Sequence, residues 1–98
     1  MTLYVYALKN RLSGVFEKPV FERFERDEYP ELLTQSLALA EKGQLRIHKE
    51  YDLYLIGTYD TVTGLVNSLS SADFICSLEP ICERYLSSKK GEAEDVRA

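Results

Sequence analysis

A β-hairpin in the middle of the chain is the feature that most constrains its fold. Residues 52–59 alternate as a strand does: Leu53, Leu55 and Tyr59 on one face, Tyr54, Ile56 and Thr58 on the other. Asp60-Thr61-Val62-Thr63-Gly64 then ends in a glycine, as a type I turn followed by a bulge requires, and 65–69 forms the return strand. The remaining segments must therefore extend this sheet or cover it.

A second hairpin is predicted at the N-terminus. Residues 3–8 are apolar on both faces, which is typical of a central strand. A polar turn, 9–14, ends in Gly14, which can adopt a positive φ. The strand that follows contains Pro19, and proline cannot donate to a sheet ladder. We therefore expect this second strand to lie at an edge or to be broken at Pro19.

One main helix is predicted at about 28–42, because Tyr29, Leu33, Leu37 and Ala40 share one helical stripe. Gly43 lies where a C-terminal cap belongs. The pattern of residues 45–48 suggests a short extended piece.

The C-terminal part of the chain closes the domain. Residues 74–78 suggest a further short strand or an extended packing segment, and Pro80 opens a short helical piece. The order β-β-α-β-β plus a short closing element predicts an α+β fold: a small, mostly antiparallel sheet of four to five strands with one main helix. We expect a single domain over 1–86 and a charged, flexible C-terminal tail over 87–98.

Length and charge limit the classes of function that this chain can have. A chain of 98 residues fits one domain, and its net charge of −4 argues against a general nucleic-acid coat. The charge is uneven, since Lys9, Arg11 and Lys18 outnumber Glu17 in the first 18 residues. We expect no membrane span, no signal peptide and no disulfide framework, and therefore a soluble protein of a reducing cytoplasm.

No catalytic constellation emerges from the sequence. His48 is the single histidine, and it could orient a nucleophile only with Asp52 or a cysteine; a surface histidine is the simpler interpretation. Cys76 and Cys82 do not form a CxxC pair and are too few for a zinc site, so we expect two packed thiols. Gly57 indicates a bulge or the close approach of another backbone or, as we expect, of an aromatic ring. We predict no enzyme activity, no metal and no cofactor.

Aromatic residues on the strands suggest a binding surface. Rings on an open sheet face can stack on single-stranded bases, and basic side chains beside them can contact phosphates. One helix cannot cover both faces of a four-stranded sheet, so one face is exposed or buried in a partner. Core packing or self-association remains the alternative for these rings. The predicted nucleic-acid-binding residues are Lys9, Arg11, Lys18, Tyr4, Tyr6 and Tyr54.

The central hairpin also carries a family resemblance. The stretch Asp52-Leu53-Tyr54-Leu55-Ile56-Gly57-Thr58-Tyr59-Asp60, followed by Thr63-Gly64, resembles a segment of the small nonstructural protein of gokushovirus-type microviruses. The Tyr-rich first strand, Val15-Phe16 and Pro19 are similar too, and the resemblance covers roughly residues 2–80. It implies a bacteriophage DNA-binding protein, in the cytoplasm of the host bacterial cell, that assists viral DNA synthesis or packaging.

Two hypotheses for function follow. In the first, the chain assists synthesis or packaging of single-stranded phage DNA, by weak DNA binding or through a phage replication or capsid protein. In the second, it is a non-enzymatic protein-interaction module, a homodimer or host-factor binder without direct DNA contact. The acidic balance and the seven tyrosines, a residue enriched at protein interfaces, favour the second. Under either hypothesis we expect a homo-oligomer.

Overall fold

A four-stranded antiparallel sheet with three helices forms the fold. The computed structural model describes the backbone of residues 1–97 and the side chains of residues 1–88. Its elements are β1 (Thr2–Asn10), β2 (Val20–Glu22), α1 (Tyr29–Ala38), α2 (Lys42–His48), β3 (Tyr51–Asp60), β4 (Val66–Ser77) and α3 (Glu79–Arg97). The strand order is β2-β1-β3-β4, and every neighbouring pair is antiparallel. The predicted α+β class with a small antiparallel sheet is confirmed, as is the edge position of the strand after Pro19.

The two hairpin turns have the same internal bonding. The Asn10 side chain accepts from the N–H groups of Leu12 and Ser13, as the Asp60 side chain does from those of residues 62 and 63. Gly14 and Gly64 close the two turns, each at φ 74°, where a side chain would be strained. The turns lie at opposite ends of the sheet, because β1 and β3 run in opposite directions. The glycine-closed hairpin predicted at 60–64 is confirmed.

Gly57 allows β4 to come unusually close to β3. A Cβ at this position would lie 2.5 Å from the Asn67 carbonyl oxygen. The nearest neighbour, which requires glycine here, is therefore the backbone of β4; the expected aromatic ring over Gly57 stays a prediction. Beyond this point the ladder is irregular. The partner of Gly57 is Ser68 and that of Leu55 is Asp73, so residues 69–72 bow outward opposite Ile56.

All three helices pack on one face of the sheet. Leu37 of α1, Leu45 of α2 and Cys82 of α3 form the centre of the hydrophobic core together with Leu78. The strand residues that pack against this cluster are Leu8, Tyr51 and Cys76. Deeper in the same face, the ring of Tyr6 stacks on Tyr29 of α1 at 4.3 Å between centroids. In the part of the chain that the structure describes, the helices therefore leave the opposite face of the sheet uncovered.

The predicted single helix is two helices. α1 ends at Ala38, where the N–H groups of Leu39 and Ala40 bond three residues back. Glu41 is extended and starts α2, with its N–H donating to the Gln44 side chain at 3.1 Å. Residues 45–48 are consequently helical, and the prediction of an extended piece there was wrong. Gly43 lies inside α2 instead of capping a helix.

The C-terminal elements are longer than predicted. The return strand and the expected short strand at 74–78 belong to one continuous β4. The closing helix α3 extends to Arg97, so the backbone of 87–97 is helical. The division between a domain at 1–86 and a charged tail at 87–98 stays a prediction, because the side chains from residue 89 on and all of Ala98 lie outside the described residues.

Candidate functional site

The uncovered face of the sheet, here called the open face, carries most of the exposed aromatic rings on the strands. Strand side chains alternate between faces, and directly paired residues share a face. Because Tyr6 points toward the helices, Ala7 and its partner Tyr54 point the other way. On β3 a bulge at Ile56 interrupts the alternation, since Val5 pairs with Gly57 but Tyr6 with Leu55. Alternation along β1 and pairing across the sheet therefore assign these residues to the open face: Leu3, Val5, Ala7, Lys9, Phe16, Phe21, Asp52, Tyr54, Gly57, Tyr59, Val66 and Phe74.

The rings of the open face form two groups. Tyr54 lies between Phe16 and Phe74, with centroid distances of 5.3 and 5.6 Å and interplanar angles of 72° and 75°. Phe21 meets Tyr59 in the same edge-to-face manner at 5.5 Å. These geometries are favourable for aromatic pairs. Phe16, Phe21 and Phe74 nevertheless remain 40%, 46% and 48% exposed, so apolar ring surface faces outward.

Small residues lie beneath these rings. Val5 and Ala7 are only 3% exposed although no helix covers them. Their cross-strand partners include Phe21 and Tyr54, whose rings extend over the strand between them. The open face is therefore a layer of large rings above small side chains, a surface with its own local packing. Such a layer holds its rings in place before any ligand arrives.

Lys9 supplies the positive charge of this face. Its Nζ lies 5.4 Å from the ring centre of Phe16 and 5.8 Å from that of Tyr54, within the range of cation–π attraction. None of the ion pairs among the described side chains includes Lys9. An ammonium group held over two aromatic rings can meet an anion while the rings meet a flat apolar group.

The acidic residues are mostly kept off the open face. Asp52 belongs to this face, but Arg11 neutralises it at 2.9 Å and also pairs with Glu79 at 3.0 Å. Glu22 pairs with Tyr4 on the helix-covered face, and Asp73 on that face is bound by Arg26 at 2.7 Å. Further carboxylates lie in or before α1, at Glu25, Asp27, Glu28 and Glu31. The net charge of −4 therefore does not describe the open face.

The structure separates the six residues predicted to bind nucleic acid. Lys9 and Tyr54 come together on the open face. Tyr6 is 0% exposed, and its hydroxyl donates to the Phe24 carbonyl at 2.6 Å, so its ring is inaccessible to a base. Burial raises the pKa of Tyr6 to about 12. The prediction that Tyr6 stacks on bases was therefore wrong, and Tyr4 shares its face.

The two other basic residues of the first hairpin have different surroundings. Arg11 donates to Asp52, Glu79 and Ser77, which ties β1, β3, β4 and α3 together at one end of the sheet. These bonds use its guanidinium to hold the fold together and not to offer a free charge to a ligand. Lys18 is exposed beside Pro19 at the β2 edge, next to the small cavity between that edge and α1. Neither lies over the rings of the open face.

Four rings of this face were absent from the predicted site: Phe16, Phe21, Tyr59 and Phe74. The signal for Phe74 in the sequence is its position in an alternating strand segment. Knowing the register of the hairpin, one would place Phe74 across from Tyr54. That register contains the bow at 69–72, so counting back from the turn would have put Phe74 in the wrong place. Phe21 was hidden by Pro19, which made its strand look interrupted.

The described residues offer little for catalysis. The Nδ1 of His48 lies 2.7 Å from the Gln44 carbonyl oxygen, inside its own helix. Burial raises the pKa of the Cys82 and Cys76 thiols, which disfavours the reactive thiolate. Within the described part of the chain, no group of three or more His, Cys, Asp or Glu side chains is placed to hold a metal ion.

The open face is the surface on which a functional proposal can be built. No family model, no curated protein and no solved structure matches the chain significantly. No helix in the described part of the chain is both long and apolar enough to cross a membrane. A proposal for the function therefore rests on the geometry and chemistry of the residues and not on a related protein.

Proposed function

We propose that this chain binds single-stranded DNA weakly through its open face, as a bacteriophage nonstructural protein that assists viral DNA synthesis or packaging in the host cytoplasm. The observation that carries the proposal is the group formed by Lys9, Phe16, Tyr54 and Phe74. It combines a cation with three adjacent rings on an uncovered four-stranded sheet. Sheet faces of this kind bind single strands by stacking bases on the rings.

The division of labour within this group follows from its chemistry. The exposed surfaces of Phe16 and Phe74 can each receive a base, because every base has a flat π face and stacking tolerates any sequence. Lys9 can contact a phosphate between two such bases, which adds a salt-dependent term. Nothing in this group reads base edges, so the binding would show little sequence preference.

The acidic net charge limits the affinity without excluding the interaction. Long-range repulsion from the carboxylates of the helix side is screened beyond about 10 Å at 0.1 M salt. The open-face carboxylate Asp52, which lies across from Lys9 on β1, is paired with Arg11, and among the described side chains Lys9 forms no ion pair, so its ammonium group can meet a strand on this face. We therefore expect micromolar or weaker binding that is strongest at low salt.

The test is a titration of labelled oligo(dT) at two salt concentrations with the wild-type chain and two variants. Phe74→Ala should weaken binding about 5- to 150-fold, since one stacked base contributes about 1–3 kcal/mol. Lys9→Gln should lower the slope of log K against log salt by about 0.7, the value for one phosphate contact on a single strand. Lys42→Gln on α2 is the matched control for the charge and should change nothing.

Two results would refute the proposal. One is the absence of binding at low salt by a chain that a circular dichroism spectrum shows to be folded. The other is equal weakening by Lys9→Gln and Lys42→Gln, which would mean that overall charge and not the open face governs the interaction. Arg11 is a poor choice for this test, because replacing it removes its bonds to Asp52 and Glu79.

The second candidate is a protein-interaction module without DNA contact. The observation favouring it is the exposed apolar area of Phe21, Val66 and Phe74, which a protein partner would bury as well as a base would. A phage replication or capsid protein, or a host factor, would be the partner. In that case Phe74→Ala would abolish capture of the partner from infected cells, while oligo(dT) would not compete for it.

A further inference from the structure

The two edges of the sheet differ sharply in how well they are protected against pairing. The β2 edge has only three strand residues, follows Pro19 and is flanked by Lys18 and Arg23. Short strands, proline and charge are the usual means of preventing edge-to-edge association. The β4 edge has twelve residues, and Val66–Ala72 contains no charge and no proline. Every residue from 61 to 72 is exposed.

We propose that the β4 edges of two copies of this chain pair antiparallel about a two-fold axis at Ser70, forming one continuous eight-stranded sheet. The partner is a second copy because the edge is complementary to itself in this register. Val66 of one copy then lies beside Phe74 of the other, and Asn67 beside Asp73. Ser68 lies beside Ala72, Leu69 beside Ser71, and Ser70 beside its own symmetry mate.

The face assignment of each pair supports this register. Val66 and Phe74 both belong to the open face, since their partners on β3 are Tyr59 and Tyr54. Asn67 and Asp73 both belong to the helix-covered face, opposite Thr58 and Leu55. Residues directly opposed in an antiparallel pair share a face, and both intermolecular pairs satisfy this rule. A register shifted by one residue would place Val66 against the wrong side of the partner.

The charges agree with the same arrangement. Asp73 is the only charged residue of β4, and Arg26 holds it at 2.7 Å. In this register its neighbour is the Asn67 amide, a hydrogen-bond donor, so no two like charges oppose each other. The apolar contact between Val66 and Phe74 occurs twice by symmetry and buries two exposed side chains of each copy.

The bow at residues 69–72 lies at the proposed axis. These four residues have no Cα partners on β3, because that strand offers only Ile56 opposite them. Among the described residues these four have no Cα partner on a neighbouring strand, and a second copy can supply one. The paired edge is short, about 30 Å for nine residues at about 3.3 Å each, so we expect a weak dimer with a micromolar Kd.

The pairing and the proposed DNA binding share Phe74, because the dimer covers part of the ring surface that the open face offers to a base, but neither requires the other. A two-fold axis perpendicular to the sheet places the open faces of both copies on the same side, so the ring groups would adjoin across the seam. The dimer can be measured without any ligand, and a failed DNA titration would leave its test unchanged.

A disulfide trap tests the register. In Ser70→Cys the two new thiols face each other at the axis, and the Cβ atoms of paired strand residues are about 4.5–5.5 Å apart, close to disulfide reach. Mild oxidation should convert most of this variant to a covalent dimer at about 100 µM, well above the expected Kd. Gln35→Cys, exposed on α1, is the matched control and should remain monomeric, as should the wild-type chain with its two shielded cysteines.

Sedimentation equilibrium tests the edge without cross-linking. The wild-type chain should approach twice its 11.2 kDa mass as its concentration rises. Leu69→Lys should raise the Kd at least about tenfold, since it places two ammonium groups near the axis. Leu39→Lys, the same change at an exposed helix end, should leave it unaltered. A wild-type monomer at about 300 µM, a dimer insensitive to Leu69→Lys, or no trapping of Ser70→Cys beyond the control would each overturn the proposal.

Discussion

Replacing Gly57 by alanine is the sharpest test of how β4 is held against the sheet. The added methyl carbon would lie 2.5 Å from the Asn67 carbonyl oxygen and 3.3 Å from both the Asn67 carbonyl carbon and the Ser68 Cα. Carbon–oxygen contacts between strands are ordinarily about 3.3–3.6 Å, so the backbone of β4 must retreat by nearly 1 Å. All three obstructing atoms belong to the main chain, and no side chain can rotate away to make room.

The cost can be estimated from two terms. Forcing an extra methyl group into a packed site costs about 1–3 kcal/mol. The displacement also weakens one or two ladder hydrogen bonds near the pairing of Gly57 with Ser68, at about 0.5–1.5 kcal/mol each. We expect Gly57→Ala to lower the free energy of unfolding by about 2–4 kcal/mol. For a domain of this size that corresponds to a fall in Tm of about 10–25 °C.

Urea denaturation followed by circular dichroism measures this loss directly. Gly43→Ala is the matched control, because a Cβ there meets nothing within 4 Å and the position is helical. Alanine in a helix is favoured over glycine by up to about 1 kcal/mol, so the control should be neutral or more stable than wild type. If Gly57→Ala unfolds within about 0.5 kcal/mol of the wild-type chain, the close approach of β4 cannot be what requires glycine here.

Three further predictions concern the turns and the buried tyrosine. Gly64→Ala should cost about 1 kcal/mol in urea denaturation, because φ is 74° there; a neutral result would contradict the strain argument. Asp60→Asn should keep the turn, since Asn10 bonds its own turn in the same way. Backbone hydrogen bonds lower the pKa of Asp60 below 3.8, so the stability that its carboxylate contributes is lost as the pH falls through that lowered pKa. When the free energy of unfolding is measured against pH in acid, Asp60→Asn should not show this loss. Burial raises the pKa of Tyr6 to about 12 from 10.0, so the free energy of unfolding should fall by about 3 kcal/mol between those pH values, because the tyrosine ionises in the unfolded chain first. Denaturation of Tyr6→Phe over the same pH range should show a smaller fall.

The strands were predictable because their signals are local. The strand over 52–59 and the glycine-closed turn after it required no knowledge of distant residues, and both were confirmed. The predicted faces were wrong beyond Ile56, because a bulge there places Tyr59 on the open face with Tyr54 and Thr58 on the helix-covered face with Leu55. The edge position of the second strand followed from Pro19 alone, since a missing N–H group acts at the residue itself. The class of fold followed from the order of these segments.

The break between α1 and α2 was not predicted, for a physical reason. Glu41 begins α2 through the Gln44 side chain, a cap that lacks the usual serine, threonine or aspartate signal. Gly43 resembles a C-terminal cap in the sequence, although it lies inside the next helix. The packing of Leu45 into the core, with no exposed surface, stabilises this short helix, and that contact depends on α1 and α3.

The candidate site was only partly predictable. Tyr4, Tyr6 and Tyr54 look equivalent in the sequence, and strand alternation alone does not reveal which face the helices cover. The answer depends on Tyr29 of α1 stacking on Tyr6, a contact between residues of two different elements. The ion pairs of Arg11 with Asp52 and Glu79 likewise depend on the ends of β1, β3 and α3, which meet only in the folded sheet.

The placement of the two self-bonded turns has a consequence for the order in which the molecule folds. Each hairpin closes on its own glycine turn, and such hairpins form in about 1–10 µs. The central pairing of β1 with β3 instead joins residues roughly 40 to 60 positions apart, so closing that loop carries most of the chain-entropy cost. Folding thus requires two hairpins that form rapidly and locally to pair with each other through β1 and β3. We expect the rate of this pairing to set the rate of folding.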